Sequence, residues 1–411
     1  MADLSALPMG NSVQSETRID SLKSLSFVIG LAILAPVVFL ILPVYVGALA
    51  GDLGLGEGQL GLLATIELLG IAVMASTGLY WATRWDWRRM VGGALALIVL
   101  GNVITYVVLA DVSYTGLLLL RFAIGLAAGV LTASMLAYLA AHPDTERAAG
   151  FLVSVQTASQ VASIYLLPTL IAAPVVGGIF LGAKGIFLAM ALVGLILLAK
   201  VKAMPRTGES DEAEVADAEE HGHAMHAVSV LASFVLFFIA QTALWGFLEL
   251  LGADAGVDGD KTILAITIST AVAVAGPLFA GVFGNRFGQF KPILAAGMFQ
   301  FIGLGMLLFL EIDFVVLLIA LSVFQFGWTM AIPNQLGVLT DVDPTHRFIV
   351  LTSPAQAVGV AFGPVIAGVL IETLGYTAMY LSVAFALALY LTCILPFAGK
   401  KSERLVSSGP H

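Results

Sequence analysis

The chain has 411 residues, of which 59% are hydrophobic and 11% are charged, and its formal net charge is −9. A soluble domain carries roughly 25% charged residues, so the polar side chains of this chain are too few to cover a surface that faces water. The composition therefore excludes a soluble globular protein and predicts an integral membrane protein. The single cysteine, Cys393, excludes a disulfide framework and a cysteine metal site.

Twelve apolar segments are each long enough to cross the ~30 Å hydrocarbon core of a bilayer as a helix. Helices are expected because lipid requires every backbone group to be satisfied within the segment. We number these segments spans 1 to 12; they begin near Leu25, Leu60, Met90, Tyr114, Ala148, Val176, Ala227, Thr262, Pro292, Phe314, Phe348 and Ala378. The pattern predicts an all-α membrane fold with one six-helix domain at 25–202 and a second at 227–399. The tails 1–24 and 400–411 and the linker 203–226 connect or flank these domains.

Lysine and arginine in the short loops predict the orientation, because positive residues favour the cytoplasmic side. With both termini inside, fifteen basic residues are cytoplasmic, Lys184 and Lys261 are outside, and Arg121 lies within span 4. We therefore expect a multi-pass protein of the cytoplasmic (inner) membrane with the tails and the linker in the cytoplasm.

Two ionisable residues lie deep within spans of the first half. Glu67 is about nine residues into span 2 and Arg121 about seven into span 4, or roughly 10–14 Å at 1.5 Å per residue, so the two side chains are expected to meet. A charge at the centre of a span costs about 2.5–3.5 kcal/mol on insertion scales, so each charge needs a reason.

Three interpretations of this pair are open. The pair could be a permanent ion pair that fixes helix packing. Alternatively, Glu67 could bind and release a proton, because burial opposes ionisation of a carboxylate and a neighbouring guanidinium favours it. Arg121 could also bind an anionic substrate directly, since its geometry matches a carboxylate.

Amide and aromatic side chains recur on single faces of several spans and predict a wet, largely uncharged substrate cavity. The residues assigned to this cavity are Tyr45, Gln156, Gln160, Gln241, Trp245, Gln325, Trp328, Asn334, Gln335 and Gln356. Polar residues in membranes also hold helices together, which is the alternative for each of them. Pro333 is expected to break span 10 and to free backbone groups beside the cavity.

The remaining acids lie near helix ends. Glu249, near the outer end of span 7, is expected to line a vestibule. The other four, at predicted helix ends where solvation is easy, are expected to have no special role; they are Asp111, Glu311, Asp313 and Glu372.

The linker 203–226 carries seven acidic residues and the histidines His221, His223 and His226. It is interpreted as a mobile polar tether, partly disordered or holding a short surface helix. The histidines could instead bind a divalent metal, although the sequence predicts neither a metal site nor a cofactor.

The two halves echo one another. The stretch from His142 to Arg147 is echoed by Asp343 to Arg347, and Gln156 and Gln356 each follow nine residues after the arginine. Apolar helical halves repeated in this way are typical of transporters whose site lies between the halves near mid-bilayer. The loops after spans 2 and 8 are predicted to take part in gating, through Gly78, Arg84, Arg88, Arg89, Gly281, Asn285, Arg286, Gly288 and Lys291.

Three motifs resemble the major facilitator superfamily, over most of the chain from about Ser24 to Gly399. The segment Gly281 to Lys291 resembles the family's loop motif G-x-x-x-D-R-x-G-R-K, with Asn285 at the aspartate position; Ala82 stands there in the first half. Arg121-Phe122 with Gly125 resembles the R-F-x-x-G motif, whose arginine the resemblance associates with proton coupling. On span 11, the residues Gly359, Gly363, Pro364 and Gly368 resemble a glycine–proline motif that family antiporters carry on span 5.

The resemblance implies two pseudo-symmetric six-helix bundles and secondary transport. It also implies a weaker or differently built cytoplasmic lock, because neither loop has the motif's carboxylate. The displaced glycine–proline motif weakens the case for drug–proton antiport.

The sequence predicts a secondary active transporter that moves a small organic solute by alternating access, with the proton as coupling ion. Its expected partners are the solute and the lipid bilayer, without nucleic acid, and a monomer is expected. No enzyme motif and no nucleotide-binding motif is found. The alternatives are an uncoupled facilitator or an amphiphile or lipid transporter with a structural Glu67–Arg121 pair, and a non-transporting membrane receptor or scaffold.

Overall fold

The computed structural model describes residues 25–81, 85–140, 145–172, 174–175, 179–180, 182–203, 221–279, 289–343 and 348–398. This part of the chain is almost entirely helical, and ten of its helices are long and apolar enough to cross a membrane. Span 1, which is divided into short helices, and span 6, which is a helix of 17 residues, supply two further crossings. The predicted all-α membrane fold with twelve crossings agrees with this arrangement.

The helices are numbered in chain order within each half. The first half contains α1 (Leu25–Leu34), α2 (Val37–Leu40), α3 (Leu42–Leu53), α4 (Glu57–Ser76), α5 (Gly78–Trp81), α6 (Trp87–Val108), α7 (Tyr114–Ala140), α8 (Thr145–Ala172) and α9 (Ala183–Ala199). The second half contains α10 (His221–Trp245), α11 (Leu248–Asp254), α12 (Gly259–Ala273), α13 (275–279), α14 (Phe290–Phe309), α15 (Phe314–Val342), α16 (Thr352–Leu374) and α17 (Tyr376–Ala398). Single 3₁₀ turns occupy Val201–Ala203 and Ile349–Leu351.

Span 1 is divided by two prolines. A proline has no N–H to donate to the carbonyl four residues earlier, so Pro36 leaves the Ala32 carbonyl without its helical donor and Pro43 does the same to Phe39. The chain forms turns at residues 35–36 and 41 and continues as α2 and α3. The two carbonyls must therefore find donors on other helices.

Span 6 begins later than predicted. The expected start near Val176 is wrong, because β1 (Pro174–Val175) pairs antiparallel with β2 (Ile179–Phe180) and α9 starts only at Ala183. The Asp52 carboxylate at the end of α3 accepts a hydrogen bond from the Ala183 N–H at 2.6 Å, which fixes the start of the helix. With 17 residues, α9 is roughly 26 Å long, at the lower limit for a membrane crossing.

Two further boundaries differ from the prediction. Helix α10 starts at His221, so the last six residues of the predicted linker are helical, while 204–220 lie outside the described residues. The expected break at Pro333 is wrong, because α15 runs without interruption from Phe314 to Val342. One missing backbone hydrogen bond does not end a membrane helix when neighbouring groups pack on both sides of it.

Helix α4 packs within its own half and also across to the other half. Its second part lies against α7 and its first part against α16. In the latter contact the Thr65 Oγ1 accepts from the Val365 N–H at 3.0 Å, and the Glu372 Oε2 accepts from the Gly58 N–H at 2.9 Å. A Cβ atom at Gly61 would overlap the Pro364 carbonyl oxygen, so this contact depends on glycine.

The two halves are therefore joined tightly at one end of the bundle. This is the end that carries the turns at 54–56 and 375, which the distribution of basic residues predicts to be the outer side. Glu372 was expected to be a solvated acid without a special role; instead it binds the first turn of α4 in the other half.

Candidate functional site

The two deep charges of the first half lie in contact. Arg121 Nη1 is 3.5 Å from Glu67 Oε1, and the two side chains are 0% and 1% exposed. The contact that their depths in the sequence predict is therefore present. Arg121 Nη1 and Nε make no hydrogen bond in the described part of the chain, so the guanidinium keeps unused donors.

Further side chains complete what we call the Glu67 cluster: Glu67, Arg121, Tyr45, Asn102, Thr105 and Phe187. The Tyr45 hydroxyl donates to Glu67 Oε2 at 2.9 Å. Arg121 Nη2 donates to Thr105 Oγ1 at 2.7 Å and to Asn102 Oδ1 at 3.2 Å. The Phe187 ring lies below the guanidinium, with its centroid 4.6 Å from Arg121 Cζ. Each charge thus has polar partners although lipid surrounds the bundle.

The R-F-x-x-G motif has a packing role here. A Cβ atom at Gly125 would overlap the carbonyl oxygen of Glu67, and one at Gly70 would come within 2.6 Å of the Phe122 carbonyl oxygen. The two glycines let the backbones of α4 and α7 approach, and this approach brings Arg121 within reach of Glu67.

Sequence reasoning missed three members of the cluster and assigned a fourth to another place. Asn102 and Thr105 are fully buried on span 3, three residues apart, so helical spacing alone would have placed them on one face. No sequence signal pointed to Phe187. Tyr45 was predicted to line the substrate cavity, and its hydroxyl is bonded to Glu67.

Two glutamines of span 5 and one tryptophan of span 7 satisfy the broken backbone of span 1. Gln156 Nε2 donates to the Ala32 carbonyl at 2.9 Å, and Trp245 Nε1 donates to the Phe39 carbonyl at 2.9 Å. These are the two carbonyls that lose their helical donors to Pro36 and Pro43. Gln160 Nε2 donates to the Leu40 carbonyl at 3.3 Å. The three side chains thus form hydrogen bonds between helices. This is the alternative to a cavity lining that the sequence left open for each of them.

The amides of the second half are buried but largely unpaired. Gln241 and Gln335 are 1% and 0% exposed, and neither amide makes a hydrogen bond of good geometry in the described part of the chain, although Gln335 lies within reach of the Tyr390 hydroxyl. Gln300 on α14, which the sequence reasoning did not single out, is also buried without a hydrogen-bond partner among the described residues. Asn334 Nδ2 donates to the Met330 carbonyl at 2.8 Å within α15. Gln325 is buried and Gln356 half-buried.

Aromatic rings lie at the border between the halves. Trp328 meets Trp245 at 6.3 Å and meets Phe39, a first-half residue, edge-on at 6.2 Å between ring centroids. Trp328 Nε1 is buried and has no hydrogen-bond partner among the described residues. The unpaired amides of the second half are thus accompanied by an unpaired indole donor at this border.

Glu249 also lies at the border between the halves. It is in α11, beyond Trp245, where the membrane-spanning part of span 7 ends. Its carboxylate lies against the Cα of Gly47 in α3, and its Oε2 is buried without a hydrogen-bond partner. Burial raises the pKa of the Glu249 carboxyl from its usual 4.5 to about 7.

The predicted gating residues are only partly described. Arg84, Gly281, Asn285, Arg286 and Gly288 lie outside the described residues. Gly78 packs against Ala133 of α7, Arg88 is half-buried, and Arg89 is 3.7 Å from Asp86. Lys291 is exposed at the start of α14.

The described residues contain no group of histidine, cysteine or acidic side chains that could hold a metal ion. His226 packs its ring on Phe397, 4.9 Å between centroids. The side chains of His221 and His223 lie outside the described residues, so the alternative of a metal bound by the three histidines is not tested.

Two six-helix halves in lipid, with buried polar side chains in each half and at their border, define a membrane transporter fold. Residues 27–353 match the family model described as the Major Facilitator Superfamily, and the chain belongs to this family. Membership confirms the predicted family and the prediction of a transporter rather than an enzyme. A comparison with curated protein sequences finds no match.

Solved structures share the fold at low sequence identity. The xylose transporter XylE from E. coli, in a partially occluded inward-open conformation, has a TM-score of 0.68 at 14% identity, over 92% of this chain and 99% of that chain. A nucleoside transporter, NupG, has a TM-score of 0.67 at 12% identity, over 92% and 98%. A bacterial homologue of the human lysosomal transporter Spinster, inward-facing and occupied, has a TM-score of 0.68 at 16% identity, over 94% and 99%.

Proposed function

We propose that the protein is a secondary active transporter that moves a small organic solute by alternating access and couples this movement to protons through Glu67. The observation that carries the proposal is the burial of Glu67 in contact with Arg121 and Tyr45. A carboxylate in this position is held between two influences, since burial favours the neutral form and the guanidinium favours the charged form. Such a balance suits a group that binds and releases a proton during a cycle.

The unused donors of Arg121 support this role. When a proton neutralises Glu67, the attraction between the two side chains falls and the guanidinium can turn toward Asn102 and Thr105, which it already contacts. The positive charge thus keeps polar partners in both protonation states.

The distribution of basic residues supports an orientation with both termini in the cytoplasm and placement in the cytoplasmic membrane. In that orientation, the contact between α4 and α16 closes the outer side, as in an inward-facing or occluded transporter. Two of the similar structures are described as inward-open or inward-facing.

The unpaired polar groups of the second half support a site for an uncharged solute between the halves. A buried amide without a partner costs about 1–3 kcal/mol, so Gln241, Gln335 and Trp328 offer donors and acceptors that a polar solute or water can satisfy. Solutes rich in hydroxyl groups fit this chemistry, and two similar structures are described as xylose and nucleoside transporters. Because the charge pair lies in the first half, the solute is recognised by neutral groups of the second half.

The proposal is tested in proteoliposomes with Glu67→Gln. A thermal-shift screen of sugars, nucleosides and related polar solutes on the purified protein first selects the solute for flux assays. We expect the variant to lose uptake driven by a pH gradient while it retains exchange of that solute across the membrane. Asp111→Asn, which removes an exposed acid in the turn after α6, is the matched control and should transport normally.

Three results would contradict the proposal in different ways. Unchanged gradient-driven uptake in Glu67→Gln removes this residue from the mechanism. Wild-type flux that ignores the pH gradient favours the uncoupled facilitator with a structural ion pair. Solute binding without any flux favours the non-transporting receptor.

A further inference from the structure

Helix α3 lies between the buried Glu67 carboxylate and the half-buried Glu249 carboxylate. Tyr45 points into the first half, where its hydroxyl bonds to Glu67. Gly47 is two residues further along, or about 200° around the helix at 3.6 residues per turn, and it faces the Glu249 carboxylate of the second half. The two acids thus contact opposite sides of one short helix.

The contact between Glu249 and Gly47 crosses the border between the halves. A Cβ atom added at Gly47 would lie 2.6 Å from each of the two carboxylate oxygens, so the carboxylate occupies the space that a side chain at this position would take. Helices α11 and α3 pack together here. The environment of Glu249 therefore depends on whether the halves are together at this end of the bundle.

Among the residues that the structure describes, no cation forms an ion pair with Glu249. Its Oε2 is buried and has no hydrogen-bond partner within the described part of the chain. Helices α3 and α12 pack against α11 and carry the charged residues Asp52, Asp260 and Lys261. Asp52 binds the first N–H of α9, and the two residues of α12 are exposed at its first turn. Of the other titratable groups nearby, Tyr45 is bonded to Glu67 and Asp254 is exposed on α11 itself.

We infer that Glu249 is a second proton-binding site, which holds a proton when the halves are closed around it and releases it when α11 and α3 separate. A largely enclosed carboxylate whose Oε2 has no partner among the described residues is favoured in its neutral form, because burial of an unpaired charge is disfavoured. Separation of α11 from α3 admits water, and the same group then ionises readily. Closing the predicted outer side is thus linked to taking up one proton there.

The inference rests on the proposed function, because it assigns a proton site to the outer closure of the same transport cycle. Glu67 is enclosed within one half, whereas Glu249 lies where the halves meet. A proton that enters from the predicted outer side can therefore bind to two carboxylates. Glu249 lies at the border between the halves and Glu67 lies in the interior of the first half, with α3 between them.

The sign of the pH dependence follows from the carboxyl's two environments. The pKa of Glu249 is about 7 when the halves are closed and close to its usual 4.5 when the group is solvated. The closed arrangement is therefore favoured fully below pH 4.5 and loses this advantage as the pH rises to about 7. The closed-to-open ratio should fall by up to tenfold per pH unit and by roughly 300-fold across this interval.

The test measures the distance between the halves at the predicted outer side. Spin labels are attached to Ala110→Cys, in the turn after α6, and Thr377→Cys, at the start of α17, in a Cys393→Ala background; both labelled positions are exposed. Pulsed electron–electron double resonance in lipid nanodiscs between pH 4 and 8 then gives the fraction of molecules with the short distance, in which the halves are closed. The wild type should shift from a short to a long distance as the pH rises, and Glu249→Gln should keep the short distance throughout.

Control variants separate this inference from the proposed function. Glu67→Gln should retain the pH-dependent distance change even though it loses coupled transport. The inference is overturned if the pH-dependent distance change in Glu249→Gln is as large as in the wild type. It is also overturned if only Glu67→Gln loses this distance change. Glu249→Asp keeps the charge on a shorter side chain, and a folded protein with a pH-dependent distance change is expected there.

Discussion

The two halves of the protein hold their buried polar groups in opposite ways. In the first half, Glu67 and Arg121 are charged and surrounded by partners on α3, α6 and α9. In the second half, Gln241 and Gln300 are neutral and have no hydrogen-bond partner in the described residues. The charged groups of the first half are held by several polar partners, whereas the unpaired amides of the second half are free to bind a polar molecule. The proposed division of coupling and recognition between the halves depends on this difference.

The largest expected effect tests the charge pair of the first half. Arg121→Leu removes the only cation of the Glu67 cluster and leaves a buried carboxylate without compensation, which costs about 3–5 kcal/mol for a buried pair. We expect a large fall in thermal stability, measured by intrinsic fluorescence of the purified protein in detergent. The double variant with Glu67→Leu should recover much of this loss, because no charge then stays unpaired. Equal instability of the single and double variants would contradict the description of this network as a charge-compensated one.

The contact between the halves should respond to added volume with an intermediate effect. Gly368→Ala places a Cβ atom against the Glu57 carbonyl oxygen across the border, whereas Gly363→Ala places one against Thr242 within the second half. Overpacking costs about 1–3 kcal/mol. The first variant should favour separation at the predicted outer side without loss of stability, and the second should lower stability instead.

The spin-label distance described above and thermal unfolding distinguish these two outcomes. Gly305→Ala, where a Cβ atom would meet nothing within 4 Å, is the control and should change neither. If Gly368→Ala leaves the distance distribution unaltered, the α4–α16 contact does not control separation of the halves.

The smallest expected effect compares two glutamines that the sequence assigned to one cavity. Gln241→Leu removes an amide without partners, so stability should stay unchanged or rise by about 1 kcal/mol, while solute binding weakens. Gln156→Leu removes the donor of the Ala32 carbonyl, so stability should fall by about 1–3 kcal/mol. Thermal unfolding and solute titration of both variants measure these effects. A destabilised Gln241→Leu would mean that its amide has a partner and would remove the contrast between the halves.

Hydropathy and charge predicted the spans well because lipid requires apolar side chains and internally satisfied backbone groups along the whole length of a crossing. The Glu67–Arg121 contact followed from depth alone, since two charges at one level of one bundle have few other partners. The start of α9 could not be predicted, because it is set by the Asp52 carboxylate of a distant helix. Asn102, Thr105 and Glu372 were missed or dismissed because their partners lie on other helices, and a single sequence does not show which helices touch.

The residues that line a cavity could not be predicted from one sequence for the same reason. Glutamine and tryptophan at helical spacing look alike whether they face a solute or a neighbouring backbone. The decisive signal was in another span, because prolines at 36 and 43 create carbonyls that need outside donors. A proline in one span and an amide or indole at matching depth in another could be sought together as a pair.

The hydrogen bond from Trp245 to the Phe39 carbonyl ties the halves at a place where span 1 has no donor of its own to offer. If the halves move apart there, the oxygen is bare, and nothing in its own helix can replace the indole. Water or a polar solute must therefore reach the Phe39 carbonyl when the hydrogen bond from Trp245 breaks. Excluding water at this level, for example with a bulky apolar inhibitor, should therefore hinder separation of the halves.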